Sequence, residues 1–352
     1  MVNLNDSIST LPPLKIDGAR REWVDIAKAI SITLVVAWHV IGRTNLINEA
    51  LIFVRMPLFF FLAGLFVRGS FNQSWGDLLV MRISNFLYLF FLWSMITHFV
   101  TEGGMALADG RALALSPVYT IFLVPPLTLW FIYALAFAML IAMVVRRLPL
   151  WVVLAASLIL YAWSVSDGSW LDVIFYERVV RLLPFFILGL CAFETLETLV
   201  DRWRLFWPLP LALFIIVGLY VYTSNLKQIA LVTFPLSLLG IIAVSLVARF
   251  LQDTRFAGVL LFIGGSSLYI YVMHRLPLFY IHAATNRLAP DFVKTSPVGL
   301  AVGLATVAVI VTGCAVVGRI LNAHRISAHL FRAPWSRPRQ AAGAIGQART
   351  VV

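Results

Sequence analysis

The stretch VDIAKAISITLVVAWHVIG, residues 24–42, decides how this chain is read. It is apolar and long enough to enter a bilayer, yet it carries Asp25, Lys28 and His39. Eleven residues separate Lys28 from His39, which puts them about 20° apart around a helix and about 16 Å apart along it. Asp25 lies about 60° from Lys28 on the same side. The three form one stripe, with the charged pair at one end and the imidazole towards the other. An ionisable side chain at a helix centre in lipid costs roughly 2.5–3.5 kcal/mol, so the stripe is expected to face protein or a water-filled cavity. A plainer reading stays open. Asp25 and Lys28 also fit an i, i+3 ion pair snorkelling to the headgroups, and His39 fits an interfacial ring beside Trp38.

The rest of the 352 residues points to the same environment. Hydrophobic residues make up 61% and charged residues 12%, against about 25% charged in soluble domains. A water-soluble fold is excluded. Ten apolar runs stand out, near residues 24–42, 50–67, 83–100, 127–145, 150–165, 179–195, 206–223, 229–250, 258–278 and 298–320. The expectation is an all-α, polytopic integral membrane protein with about ten transmembrane helices and both termini cytoplasmic. A polar cytoplasmic leader occupies 1–22, the membrane domain 23–321 and a basic tail 322–352, the tail too poor in apolar periodicity to pack. The first 23 residues lack the short apolar core of a cleavable signal, so the first helix is expected to serve as the insertion signal. Nothing alternates as the strands of an outer-membrane barrel do.

The formal net charge of +11 follows the same topology. With a cytoplasmic N-terminus, 17 Lys and Arg fall inside and 9 outside, the positive-inside bias. The basic charge therefore implies a lipid bilayer, not nucleic acid, as partner. Cys191 and Cys314 lie within apolar runs and read as packed thiols. Residues 111–126 end in Pro125 and Pro126 and read as a re-entrant or interfacial piece on the outer side.

Beyond the first run, Arg55 falls near the outer end of the second, at about the depth of His39. The ninth run, GGSSLYIYVMHRLPLFY at 264–280, brings His274 and Arg275 to that level, with Tyr271 and Ser267 on the His274 face. Trp130 and Tyr133 lie in LWFIYALAFAMLI, 129–141. Each of these also fits an ordinary interface anchor. His98, His282, His324 and His329 suggest no role. No HxxxH, HExxH or CxxC spacing is present, so no metal site is expected, and no GxSxG elbow offers a nucleophile. Histidine is left as the acid or base within the span.

Lys28 to His39, within WVDIAKAISITLVVAWH, resembles the first-helix signature of the acyltransferase 3 family of membrane O-acyltransferases. The resemblance continues in order through MPLFFFLAGLFVRGSF (56–71), MRISNFLYLFFLWS (81–94), LWFIYALAF (129–137), RVVRLLPFFILGL (178–190) and SSLYIYVMH (266–274), covering about residues 22–282. It implies a ten-helix fold at the cell inner membrane. There an acyl group passes from cytoplasmic acyl-CoA, with acetyl-CoA the expected donor and no bound cofactor, to a hydroxyl of an envelope carbohydrate, a lipid-linked acceptor or another small acceptor. The family's essential histidine maps onto His39. Its basic partner maps onto Lys28, a lysine where many members have arginine. Arg82 stands where members show paired arginines, with Asn85 in the second place.

On this reading His39 is the general base and Lys28, beside Asp25, meets the polar part of CoA. Arg82 and Arg68 hold phosphates. Arg55, Arg181, Tyr271 and His274 form the acceptor-side rim, with Trp130 and Tyr133 as further substrate contacts. The rival reading is a transporter or flippase with His39 in a proton relay, against which no two-half symmetry is visible.

Overall fold

The computed structural model describes residues 3–11, 22–42, 46–115, 118, 121, 129–166, 174–288 and 297–336. Among them the chain is helical throughout, and each of the ten apolar runs lies on one or more helices. These are α1 (Glu22–Ile41), the short α2 (Leu46–Ala50), α3 (Ile52–Val67) and α4 (Trp75–Asp109). There follow α5 (Trp130–Val144), α6 (Leu150–Ser166), α7 (Ile174–Cys191), α8 (Phe193–Trp203), α9 (Pro208–Thr223) and α10 (Ala230–Leu251). The ninth run is broken into α11 (Ala257–Gly265), α12 (Ser267–Met273) and α13 (Arg275–Leu288), and α14 (Pro297–Ala323) is the last.

Length decides which of these cross a membrane unaided. Five pass on length and composition: Glu22–Ile41, Leu46–Ser70, Trp75–Asp109, Ala230–Leu251 and Val298–Ala323. A sixth appears if Phe175–Cys191 and Phe193–Phe206, bent by 76°, count as one span. Helices α5, α6 and α9 have 15 to 17 residues, about 22–26 Å at 1.5 Å per residue, short of a hydrocarbon core of about 30 Å. The expected ten crossings therefore exceed what helix length alone gives, and the apolar runs mark helices more surely than spans. Much of residues 111–126, read as a re-entrant piece, lies outside the described residues.

Helix α1 is the hub. It packs against α3, α10, α11, α12 and α14. A second hub forms where α7 meets α3, α5, α6 and α8. Between lipid-bathed helices no hydrophobic effect drives association, so close backbone approach matters. Gly189 of α7 faces the carbonyl of Phe61, and Gly64 of α3 faces that of Phe186, so the two backbones touch with no room for a Cβ on either side.

Beyond the bend, α8 is amphipathic. Phe193, Leu196 and Val200 are buried along one face, and Phe193 stacks on Trp23 of α1 at 5.6 Å. Glu194 reaches from α8 to Arg68, a fully buried guanidinium, with Nη1 to Oε1 at 2.6 Å. Glu194→Ala leaves that buried charge without its counter-ion. It is expected to destabilise by about 3 kcal/mol, at the low end for a buried pair because Glu194 is 42% exposed. Thermal unfolding in detergent checks it, and Arg68→Met should cost less. The reverse order would show that the pair does not hold α8 in place.

The segments flanking the bundle are tied to it by backbone groups. Ile8 and Leu11 are fully buried. The amides of Leu150 and Trp151, in the first turn of α6, donate to the carbonyls of Asp6 and Leu4 at 2.8 and 3.1 Å. The tail expected not to pack does pack as far as Ser336. Tyr88 and Trp93 of α4 donate to the carbonyls of His329 and Leu330 at 2.9 and 2.6 Å, and the Ala333 amide donates to Asn85 Oδ1 at 2.8 Å. Phe331 is buried between Trp93 and Tyr269. Apolar periodicity could not reveal this, because the hydrogen bonds run through the tail's backbone groups and Phe331 is a single ring outside any periodic run. Residues 337–352 lie outside the described residues. Cys191 and Cys314 are both free and buried.

Candidate active site

The site is set by a break in the ninth run. Pro277 has no N–H for the carbonyl of Met273, and the helix opens at His274, between α12 and α13. There His274 folds back on its own helix. Its Nδ1 lies 2.7 Å from the Tyr271 carbonyl and 3.2 Å from that of Ile270. The side chain is buried, and its Nε2 has no hydrogen-bond partner among the described residues.

The next residue turns towards α1. Arg275 Nη1 lies 3.4 Å from His39 Nδ1. The His39 and His274 rings are 5.4 Å apart between centres. His39 is half-buried and faces protein, as the stripe on α1 required.

A second guanidinium arrives from α3. Arg55 is buried, lies 4.4 Å over the ring of Trp38 and donates to the Asn48 carbonyl at 3.0 Å. It is close enough to act on His39 electrostatically. Asn48 in turn donates to the carbonyl of Gly42 at 2.8 Å. Gly42 ends α1 with a φ of +77°, a conformation that favours glycine and turns the chain from α1 towards α2. Glu49, buried next to Asn48, acts on Arg55 as the nearby carboxylate.

Tyr271 joins α5 to the cluster. Its hydroxyl accepts from the Phe131 amide at 3.1 Å, and its ring lies 5.9 Å from that of His274. Phe131 is in the first turn of α5, where amides lack helical partners. Trp130, one residue earlier, lies under Arg178 at 5.1 Å.

The other expected residues lie elsewhere. Tyr133 sits in an aromatic core, stacked on Phe90 at 4.5 Å and within 5.0 Å of Phe137 and Phe175. Arg181 pairs with Glu177 and donates to the Ser164 carbonyl. Arg82 is half-exposed on a π turn, Leu79–Ile83, at the start of α4. Tyr280 of α13 bonds the carbonyl of Val100, which is 18 residues, or about 27 Å, along α4 from Arg82.

At the N-terminal end of α1, Asp25 is buried and its Oδ1 lies 2.5 Å from Lys28 Nζ, which also covers the ring of Phe66 at 4.8 Å. The i, i+3 ion pair is thus present. Arg68, read as a phosphate holder, is committed to Glu194. A hollow of about 310 Å³ lined by Glu194, Thr195, Thr198, Leu199, Arg202 and Trp203 follows α8 alone and involves none of the His39 cluster.

Sequence reasoning undervalued Arg275, the group that touches His39, and missed Asn48 and Glu49. The signals were faint but real: Arg275 directly follows His274, and Asn48 with Glu49 forms a polar pair just before the second apolar run.

Two imidazoles thus lie between two guanidinium groups inside a helical bundle with several apolar helices long enough to cross a membrane. A family model described as an acyltransferase domain matches residues 21–317. The chain therefore belongs to that family, acyltransferase 3, and is a membrane acyltransferase. No curated protein and no solved structure matches it.

Proposed function

We propose that this acyltransferase moves an acyl group, acetyl in the simplest case, from acyl-CoA to a hydroxyl of an envelope carbohydrate or other small acceptor. One observation supports this most. His39 is enclosed by Arg275, His274 and Arg55, while Lys28 lies about 16 Å along the same helix stripe. A long donor with a reactive thioester at one end and phosphates at the other fits such spacing. Acyl transfer needs a group that handles the acceptor proton and a donor towards the developing oxyanion. The cluster holds imidazoles for the first and cations for the second.

The donor enters from the Lys28 end, which the positive-inside bias makes cytoplasmic, and the acceptor reaches the Arg55, Tyr271 and His274 end. Ten crossings of the inner membrane, with both termini cytoplasmic, complete this reading. The short helices α5, α6 and α9 and the broken ninth run then cross where neighbouring helices cover them.

Labelled acetyl-CoA supplied to the protein in membrane vesicles tests the reading. Release of free CoA thiol that depends on His39, with label appearing in envelope material, is the expected result. Solute uptake into proteoliposomes with no thiol release would instead identify a transporter. Lys28→Met is expected to raise KM for acetyl-CoA by about tenfold, equivalent to about 1.4 kcal/mol of lost binding, with kcat within about twofold. An unchanged KM removes Lys28 from the donor site.

A further inference from the structure

Resting on that reading, we propose that His274, not His39, takes the acceptor's proton, and that His39 donates to the thioester carbonyl. The hydrogen-bond pattern fixes both rings. A carbonyl oxygen only accepts, so His274 Nδ1, set against the carbonyls of Tyr271 and Ile270 at 2.7 and 3.2 Å, carries its hydrogen. In the neutral ring the Nε2 is then a bare lone pair. It is buried and has no partner among the described residues, a costly state for a polar atom unless something binds there.

His39 is the converse case. A guanidinium only donates, so Arg275 Nη1 facing His39 Nδ1 at 3.4 Å occupies the lone pair on that nitrogen. Neutral His39 then holds its hydrogen on Nε2 and is a donor there. Of two rings 5.4 Å apart, one offers a lone pair and the other an N–H.

The step balances without a further reactant. The acceptor hydroxyl oxygen attacks the acetyl-CoA carbonyl carbon while its proton passes to His274 Nε2. His39 Nε2–H holds the oxyanion, with Arg275 behind it and Arg55 adding positive charge. The C–S bond then breaks, the electron pair leaves on sulfur, and His274 returns the proton to the CoA thiolate. Ester and free thiol are the products, and both rings end as they began.

Two amide substitutions separate the roles. The asparagine amide nitrogen can occupy the place of Nδ1, so His274→Asn keeps a donor for the two carbonyls and loses only the lone pair. The glutamine amide can occupy the place of Nε2, so His39→Gln keeps an N–H towards the substrate. With acetyl-CoA and native membrane vesicles as the probe, His274→Asn is expected to lower transfer by about 10²–10⁴-fold, the range for losing a general base. His39→Gln should retain at least about tenfold more activity than His274→Asn. Added imidazole should restore part of the rate lost in His274→Ala, a recovery that a merely structural role does not give. Thermal unfolding of each variant in detergent separates lost chemistry from lost fold.

The inference is overturned if His274→Asn keeps more than about a tenth of wild-type transfer, if His39→Gln retains less than about tenfold the activity of His274→Asn, or if imidazole restores nothing. A wild-type protein that releases no thiol and transfers no label overturns the acyl-CoA reading itself, a result distinct from all of these.

Discussion

His39→Ala is expected to lower acetyl transfer from acetyl-CoA by roughly 10²–10⁴-fold while leaving the thermal midpoint close to wild type. The ring is half-buried and its one hydrogen-bond contact among the described residues is long, 3.4 Å to Arg275. Little stability is lost with it, whereas on the proposed reading the transfer step loses a group that acts on the substrate. The rate of CoA thiol release, measured beside an unfolding curve for the same preparation, separates the two effects. A variant that transfers within threefold of wild type would place the chemistry elsewhere in the bundle. The predicted loss holds whether His39 takes the proton or donates to the oxyanion, so this substitution locates the site and the amide pair assigns the roles.

The largest effect on folding is expected at Gly189→Val. A Cβ there would overlap the carbonyl oxygen of Phe61 and lie 2.8 Å from its carbon and 3.1 Å from its Cα. These are backbone atoms of α3, and Gly64 sets the same limit from the other helix against Phe186. Overpacking in a core costs about 1–3 kcal/mol and occasionally more. Here no side chain can rotate away, so α3 and α7 must separate along a contact that lipid does not drive back together. Loss of the monodisperse species in detergent chromatography is the expected outcome. Gly258→Ala, where an added Cβ meets nothing within 4 Å, is the control that should behave as wild type. A monodisperse Gly189→Val protein with an unshifted midpoint would mean that the two backbones do not touch.

Much of the architecture could be read before any coordinates, because apolar length is written directly into a chain that must satisfy its backbone in lipid. Each of the ten apolar runs lies on helix. What could not be read was which helices are long enough to cross unaided, since the ninth run is divided at Ser266 and His274 and the sixth turns by 76° into α8. The site was legible where depth and periodicity sufficed. Lys28 and His39 share a stripe, and Arg55 and His274 arrive beside His39. It was illegible where rotation about a helix axis decides. Tyr133 and Tyr271 are both aromatic residues near helix ends, yet one is stacked on Phe90 and the other bonds the Phe131 amide beside the imidazoles. Arg181 and Arg275 differ in the same way: one pairs with Glu177, the other meets His39.

The strap that follows α14 and lies along α4 also bears on how the molecule is made. The hydroxyl of Tyr88 and the indole N–H of Trp93 find their acceptors 241 and 237 residues later in the chain. During synthesis α4 therefore enters the membrane with two polar groups awaiting partners that the ribosome has yet to produce. A chain stopped after Leu321 would carry every apolar run and still leave this flank of α4 open, with Tyr88, Trp93 and Asn85 stripped of the contacts they make to residues 329–333.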